Sequence, residues 1–110
     1  MCKDEQGRAV VAFIQVMEIE TSRFDEFSAF MRQMQKERGA QLLSNKATVT
    51  RDRDRPNHYV IIVEFDSYEV AMKNSNDPTT QRYASEMQKF LDGPITFHNL
   101  EVDFVSVIEH

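Results

Sequence analysis

The chain has 110 residues, 41% hydrophobic and 28% charged, and its 13 basic and 18 acidic side chains give a net charge of −5. That length suits a single domain with one modest core, and the acidic balance argues against a nucleic-acid partner. No apolar run approaches the ~20 residues of a membrane helix, and the opening MCKDEQGR has no apolar signal core, so no membrane role is expected.

Cys2 is the only cysteine, which rules out an intrachain disulfide and points to a reducing, cytoplasmic setting. Residues 1–8 read as a disordered N-terminal segment, 9–105 as one domain and 106–110 as a tail. The first strand is expected over about Ala9–Ile19. Its apolar residues fall on both parities, with Val11, Phe13, Met17 and Ile19 against Val10, Ala12, Ile14 and Val16. A strand of that kind is buried on both faces.

A helix follows, with Ser22 as its expected N-cap and Asp25 three residues on, a variant of the capping box. Phe24, Phe27, Phe30, Met31 and Met34 recur at helical spacing and form one apolar stripe, and Gly39 supplies the stop. The second strand is expected over about Gln41–Arg51. The third, His58–Phe65, again carries apolar residues on both parities. Pro56 and Asn57 mark the hairpin tip between them, where Arg51, Arg53 and Arg55 alternate with Asp52 and Asp54.

The second helical region is interrupted. Asp66 or Ser67 caps a short helix through Lys73, and Asn74–Pro78 breaks it. Asp77 followed by Pro78 is a restart signal, a cap and then a first-turn proline. Tyr83, Ala84, Met87, Phe90 and Leu91 form the new apolar face, Gly93-Pro94 stops it, and Ile95–Val105 makes the last strand. The order predicts an α+β, ferredoxin-like βαββαβ fold with a four-stranded antiparallel sheet. Helices cover only one side of such a sheet. The second apolar face therefore predicts a homodimer that packs sheet to sheet, with a cavity in each half.

No HExxH, CxxC, glycine-rich phosphate loop or GxSxG elbow is present, and His58, His98 and His110 have no close spacing partners. No metal site is therefore expected. The candidates for chemistry are polar groups that face the space between sheet and helices. Asn74 continues the inward stripe of Val70 and Ala71 and could donate to a ligand oxyanion; the plainer alternative is a local cap at the helix break. Tyr83 could bring its hydroxyl to the cavity rim or satisfy it locally. His98 shares parity with Leu100, Val102 and Phe104, and its near-neutral intrinsic pKa suits a general base, unless it is a core or interface residue. Tyr59, Phe65, Phe27, Met31 and Met87 are the expected cavity walls.

The stretch HYVIIVEFDSYEVAMKNSNDPTTQRYASEMQKFLDGP resembles the antibiotic biosynthesis monooxygenase family of dimeric α+β barrels. The carriers are the aromatic-acid-serine turn Phe65-Asp66-Ser67 and the restart Asn76-Asp77-Pro78. The resemblance implies two sheets fused face to face and, in some members, oxidation of phenolic molecules by O2 with neither metal nor flavin. Other members degrade haem, but here Asn74 and Ala84 stand near their tryptophan and histidine positions and the chain has no tryptophan. No cofactor is therefore expected. The resemblance implies a small aromatic or hydrophobic ligand. It leaves three activities open: a cofactor-independent monooxygenase, a cyclase or isomerase, and a non-catalytic ligand-binding barrel.

Overall fold

The computed structural model describes residues 12–39 and 42–109. The elements run β1 (Phe13–Glu20), α1 (Phe24–Arg38), β2 (Lys46–Arg51), β3 (His58–Phe65), α2 (Tyr68–Asn76), α3 (Pro78–Gln88) and β4 (Thr96–Glu101). The strands form one antiparallel sheet in the order β2-β3-β1-β4, which is the ferredoxin-like arrangement expected from the sequence. The N-terminal segment 1–8, the expected first-strand residues Ala9–Val11, and Ala40, Gln41 and His110 all lie outside the described part.

Side-chain alternation divides the sheet into two faces. Phe13, Ile19, Tyr59, Ile61 and Phe65 are buried on one of them. Ile19, Tyr59 and Ile61 meet Phe27 and Met31 of α1 and Met87 of α3, whereas Phe13 and Phe65 meet Ala71 of α2. Full burial of side chains the size of Phe27 and Ile61 is worth about 1.5–3 kcal/mol each. The other face carries Ile14, Val16, Val60, Ile62 and Leu100, and no helix among the described residues covers it. Leu100 is 48% exposed there.

Several element boundaries differ from the sequence reading, each for a physical reason. Ser22 is not the cap of α1. Its N–H donates to Asp92 Oδ2 at 2.7 Å and its hydroxyl to Asp92 Oδ1 at 3.3 Å, while Arg23 holds the cap position without a side-chain capping bond. Thr21, fully buried, does the local work: its hydroxyl donates to the Phe90 carbonyl at 2.5 Å and accepts from the Arg23 N–H at 3.0 Å. The start of α1 is thus tied to the chain that follows α3.

The second strand begins at Lys46, not near Gln41, because its partner β3 ends at Phe65 and the ladder closes with Asn45 N–H to the Glu64 carbonyl at 2.8 Å. α2 runs on to Asn76 rather than ending at Lys73. Nothing in Asn74-Ser75-Asn76 forbids helix, and the stop comes from Pro78, which pushes Asp77 to an extended conformation at φ −68° and ψ 125°. Ser67, rather than Asp66, caps α2 by accepting from the Val70 N–H at 3.1 Å. β4 ends at Glu101 instead of Val105. It pairs only with β1, and the last rung joins Val102 N–H to the Ala12 carbonyl at 3.0 Å.

Candidate functional site

A cavity of about 260 Å³ lies between the helices and the sheet, near the lower end of the size range of small-molecule sites. Met17, Val63 and Phe65 form its sheet wall, Phe97 contributes from β4, and Phe30, Met31, Met34 and Met87 enclose it from the helices. The polar groups gather where α1 ends and α2 gives way to α3. Asn74, Ser75, Thr80, Gln81 and Tyr83 reach the cavity there, together with Gln35 and Arg38. Arg38 is the only charged residue in the described lining.

Local folding explains how these groups meet. Gly39, at φ +46°, ends α1 and donates its N–H to the Gln35 carbonyl, which leaves Arg38 in the final turn. Cations are favoured there by the partial negative charge of the helix end. Asp77 serves two helices: its N–H donates to the Asn74 carbonyl at 3.3 Å, and its side chain accepts from the Thr79 N–H at 2.7 Å. The knuckle between α2 and α3 therefore carries Asn74 and Thr80 toward the end of α1.

The side chains form a chain of bonds. Arg38 Nη1 donates to Thr80 Oγ1 at 2.9 Å, and the Thr80 hydroxyl lies 3.5 Å from Asn74 Oδ1. Arg38 is 7% exposed, and among the described residues its Nε–H has no acceptor. Its guanidinium sits 5.9 Å from the ring centroid of Tyr83. Tyr83 donates its hydroxyl to Glu37 Oε2 at 2.7 Å. The amide of Gln33 and the Tyr83 hydroxyl both donate to Glu37 and hold its carboxyl below the usual range, whereas the bond to Glu37 pushes the Tyr83 hydroxyl up. Tyr83 therefore keeps its proton at neutral pH, and that proton is directed at Glu37 rather than at a ligand.

Of the eight residues singled out in the sequence, Asn74, Tyr83, Phe65, Met31 and Met87 line the cavity. Phe27 and Tyr59 belong to the core instead. Phe27 has no exposed surface, and Tyr59 stacks on Phe24 at 4.3 Å and borders a separate, polar groove with Glu18 and His58. His98 is on the opposite face of the sheet. It is paired with Val16, and its Nε2 lies 2.6 Å from Glu18 Oε2. The strand alternation that turns Phe97 into the cavity turns His98 away from it, so the imidazole is no base for a ligand held there.

Sequence reasoning missed Arg38 and Thr80. The signal for Arg38 was present: it continues the series Phe24, Phe27, Met31, Met34 at the same three- and four-residue spacing. A cation in the last place of an apolar stripe is a buried charge. Among the described residues no group of three or more His, Cys, Asp or Glu comes together as a metal site.

The chain has the α+β architecture of the antibiotic biosynthesis monooxygenases. SnoaB, a cofactor-independent oxygenase from Streptomyces nogalater, superposes with a TM-score of 0.72 at 14% identity, over 87% of this chain and 97% of that one. A protein from Deinococcus radiodurans assigned to the antibiotic biosynthesis monooxygenases gives 0.67 at 14% identity, over 89% and 99%. A conserved protein from Methanosarcina mazei Go1 gives 0.71 at 10% identity, over 84% and 94%. No family sequence model matches the chain, and no curated protein matches it.

Proposed function

We propose that this protein is a cofactor-independent monooxygenase that works as a homodimer on a small phenolic or quinol-like aromatic molecule. The observation that carries this reading is the cavity: an apolar chamber with one polar end, set in the fold that SnoaB, a cofactor-independent oxygenase, also has. In such chemistry the substrate supplies the electrons. For an anthrone-like ring CH2, loss of a proton gives a stabilised carbanion that reduces O2. One oxygen atom becomes the ring carbonyl, and the other leaves as water with the two hydrogen atoms of the CH2.

The chain's part is to bind, orient and exclude water. In this reading apolar walls hold the ring, and the Asn74 amide N–H groups, at the polar end of the cavity, supply hydrogen bonds to a developing oxyanion while the Thr80 hydroxyl orients the amide through its oxygen. Homodimer formation is supported by the uncovered apolar face of Ile14, Val16, Val60, Ile62 and Leu100. One observation favours a second reading, a non-catalytic binding barrel: no histidine or carboxylate is in the described lining.

Oxygen uptake with anthrone and dihydroxynaphthalene distinguishes these readings. Turnover, with one atom of labelled O2 retained in the product, is the expected result. Asn74→Ala is expected to lower turnover by about tenfold to a thousandfold, the scale of a lost oxyanion donor, and His98→Ala to leave it near wild type. Tight ligand binding with no oxygen consumed would establish the binding barrel instead.

A further inference from the structure

We infer that Arg38 anchors a carboxylate of the cavity's ligand, so that the site takes a small aromatic acid in preference to a neutral ring. The inference rests on reading this cavity as the substrate site and adds the chemical class of what fills it.

A guanidinium carries five N–H donors and keeps its charge at every pH a protein meets. Arg38 is 7% exposed, yet its one hydrogen bond within the described residues is the 2.9 Å contact to Thr80. Asp77 is the nearest carboxylate, but its Oδ2 stands 4.0 Å from Nη2, outside hydrogen-bond reach, while Oδ1 is engaged at 2.7 Å as the cap of α3. The Tyr83 ring, 5.9 Å away, offers a π face and no acceptor to an N–H fork. The Nε–H has no partner among the described residues. A buried cation left this way is costly, and the cost is relieved when an anion arrives.

The surroundings select which anion. The rest of the described lining is uncharged, so a single positive charge stands at one end of an apolar chamber of about 260 Å³. With Asp77 already 4.0 Å from the guanidinium, a monoanion adds one negative charge beside that pair, and a phosphate dianion would set two against apolar walls. A planar carboxylate matches the planar guanidinium fork, and the flat faces of Phe30, Phe65 and Phe97 suit an aromatic body. The occupant that satisfies charge, shape and volume together is a compact aromatic carboxylate.

Calorimetric titration of the whole chain with naphthoate and with the neutral, nearly isosteric naphthamide at neutral pH tests this. Naphthoate is expected to bind about tenfold or more tightly than naphthamide, as a charge-assisted bidentate contact demands. Arg38→Gln should bring the two affinities together by weakening naphthoate alone, and Arg38→Lys should keep part of the preference. Equal affinities in the wild type, or binding of neither probe at millimolar concentration, would overturn the assignment. If Arg38→Gln loses its cooperative melt, the wild-type ratio and the part of it that Arg38→Lys keeps decide, since that change retains the cation. Oxygen uptake with dihydroxynaphthoate and with dihydroxynaphthalene separates this inference from the oxygenase reading. Acid preference without uptake keeps the anchor and removes the oxygenase. Uptake with both, at equal affinity, does the reverse.

Discussion

Tyr83 and Glu37 sit on different helices and set each other's protonation. The hydroxyl of one donates to the carboxylate of the other at 2.7 Å, and Gln33 adds a second donor at 3.0 Å. A carboxyl whose folded pKa is depressed adds stability that is present above its ordinary value and lost as pH falls through the folded one. A phenol whose folded pKa is raised adds stability that is present below about pH 10 and lost as pH rises through the folded value. The pair thus supports the α1–α3 contact over a neutral plateau and weakens at both ends. Melting temperatures of wild type and Tyr83→Phe across pH should differ most on that plateau and converge in acid and in strong alkali. A constant gap at every pH would show that the ring's packing, not the bond, makes the difference.

At the scale of elements, the α2–α3 knuckle holds the site together. Asp77 ends one helix and starts the next, and Pro78 fills a first-turn position where its missing N–H costs nothing. Asp77→Ala should destabilise the fold by about 1 kcal/mol, the usual loss for an N-cap, which a urea titration would register as a lower midpoint with unchanged slope. A loss confined to ligand binding, with the midpoint unmoved, would mean that the cap is redundant. This region also shows what the sequence makes legible. The Asp77-Pro78 restart and the apolar stripes mark the helices, and the apolar run on both parities of His58–Phe65 marks the central strand, because each is a local rule. The limits of β2 and β4 are set by how far their partners run, and no local pattern records that. The fate of His98 turned on parity: its strand mates Leu100 and Val16 are apolar, but they belong to the uncovered face. Two apolar faces look alike in a sequence, and only the sheet shows which one the helices take.

At the scale of the whole molecule, the uncovered face is the most consequential feature. Val16 and Ile62 are cross-strand partners at its centre, beside Val60 and Leu100. Water is a poor neighbour for such a patch, and a second copy meeting it sheet to sheet would remove it from solvent. Sedimentation at micromolar concentration should give a mass near twice the 12.9 kDa of one chain. Val16→Glu, which places a charge in the middle of the contact, should shift the protein toward the monomer. A wild-type monomer under those conditions would overturn the homodimer.

β4 is the sheet's least supported strand: it has one ladder, to β1, and every residue from Thr96 to Glu101 is exposed. It nevertheless contributes Phe97 to the cavity wall, with more than half of that side chain open to solvent. Local opening begins where few apolar contacts resist it, and such edges separate at lower free energy than the core. A chamber with a wall of this kind needs no hinged cover. The strand that completes the wall is also the seam at which the chamber parts at least cost.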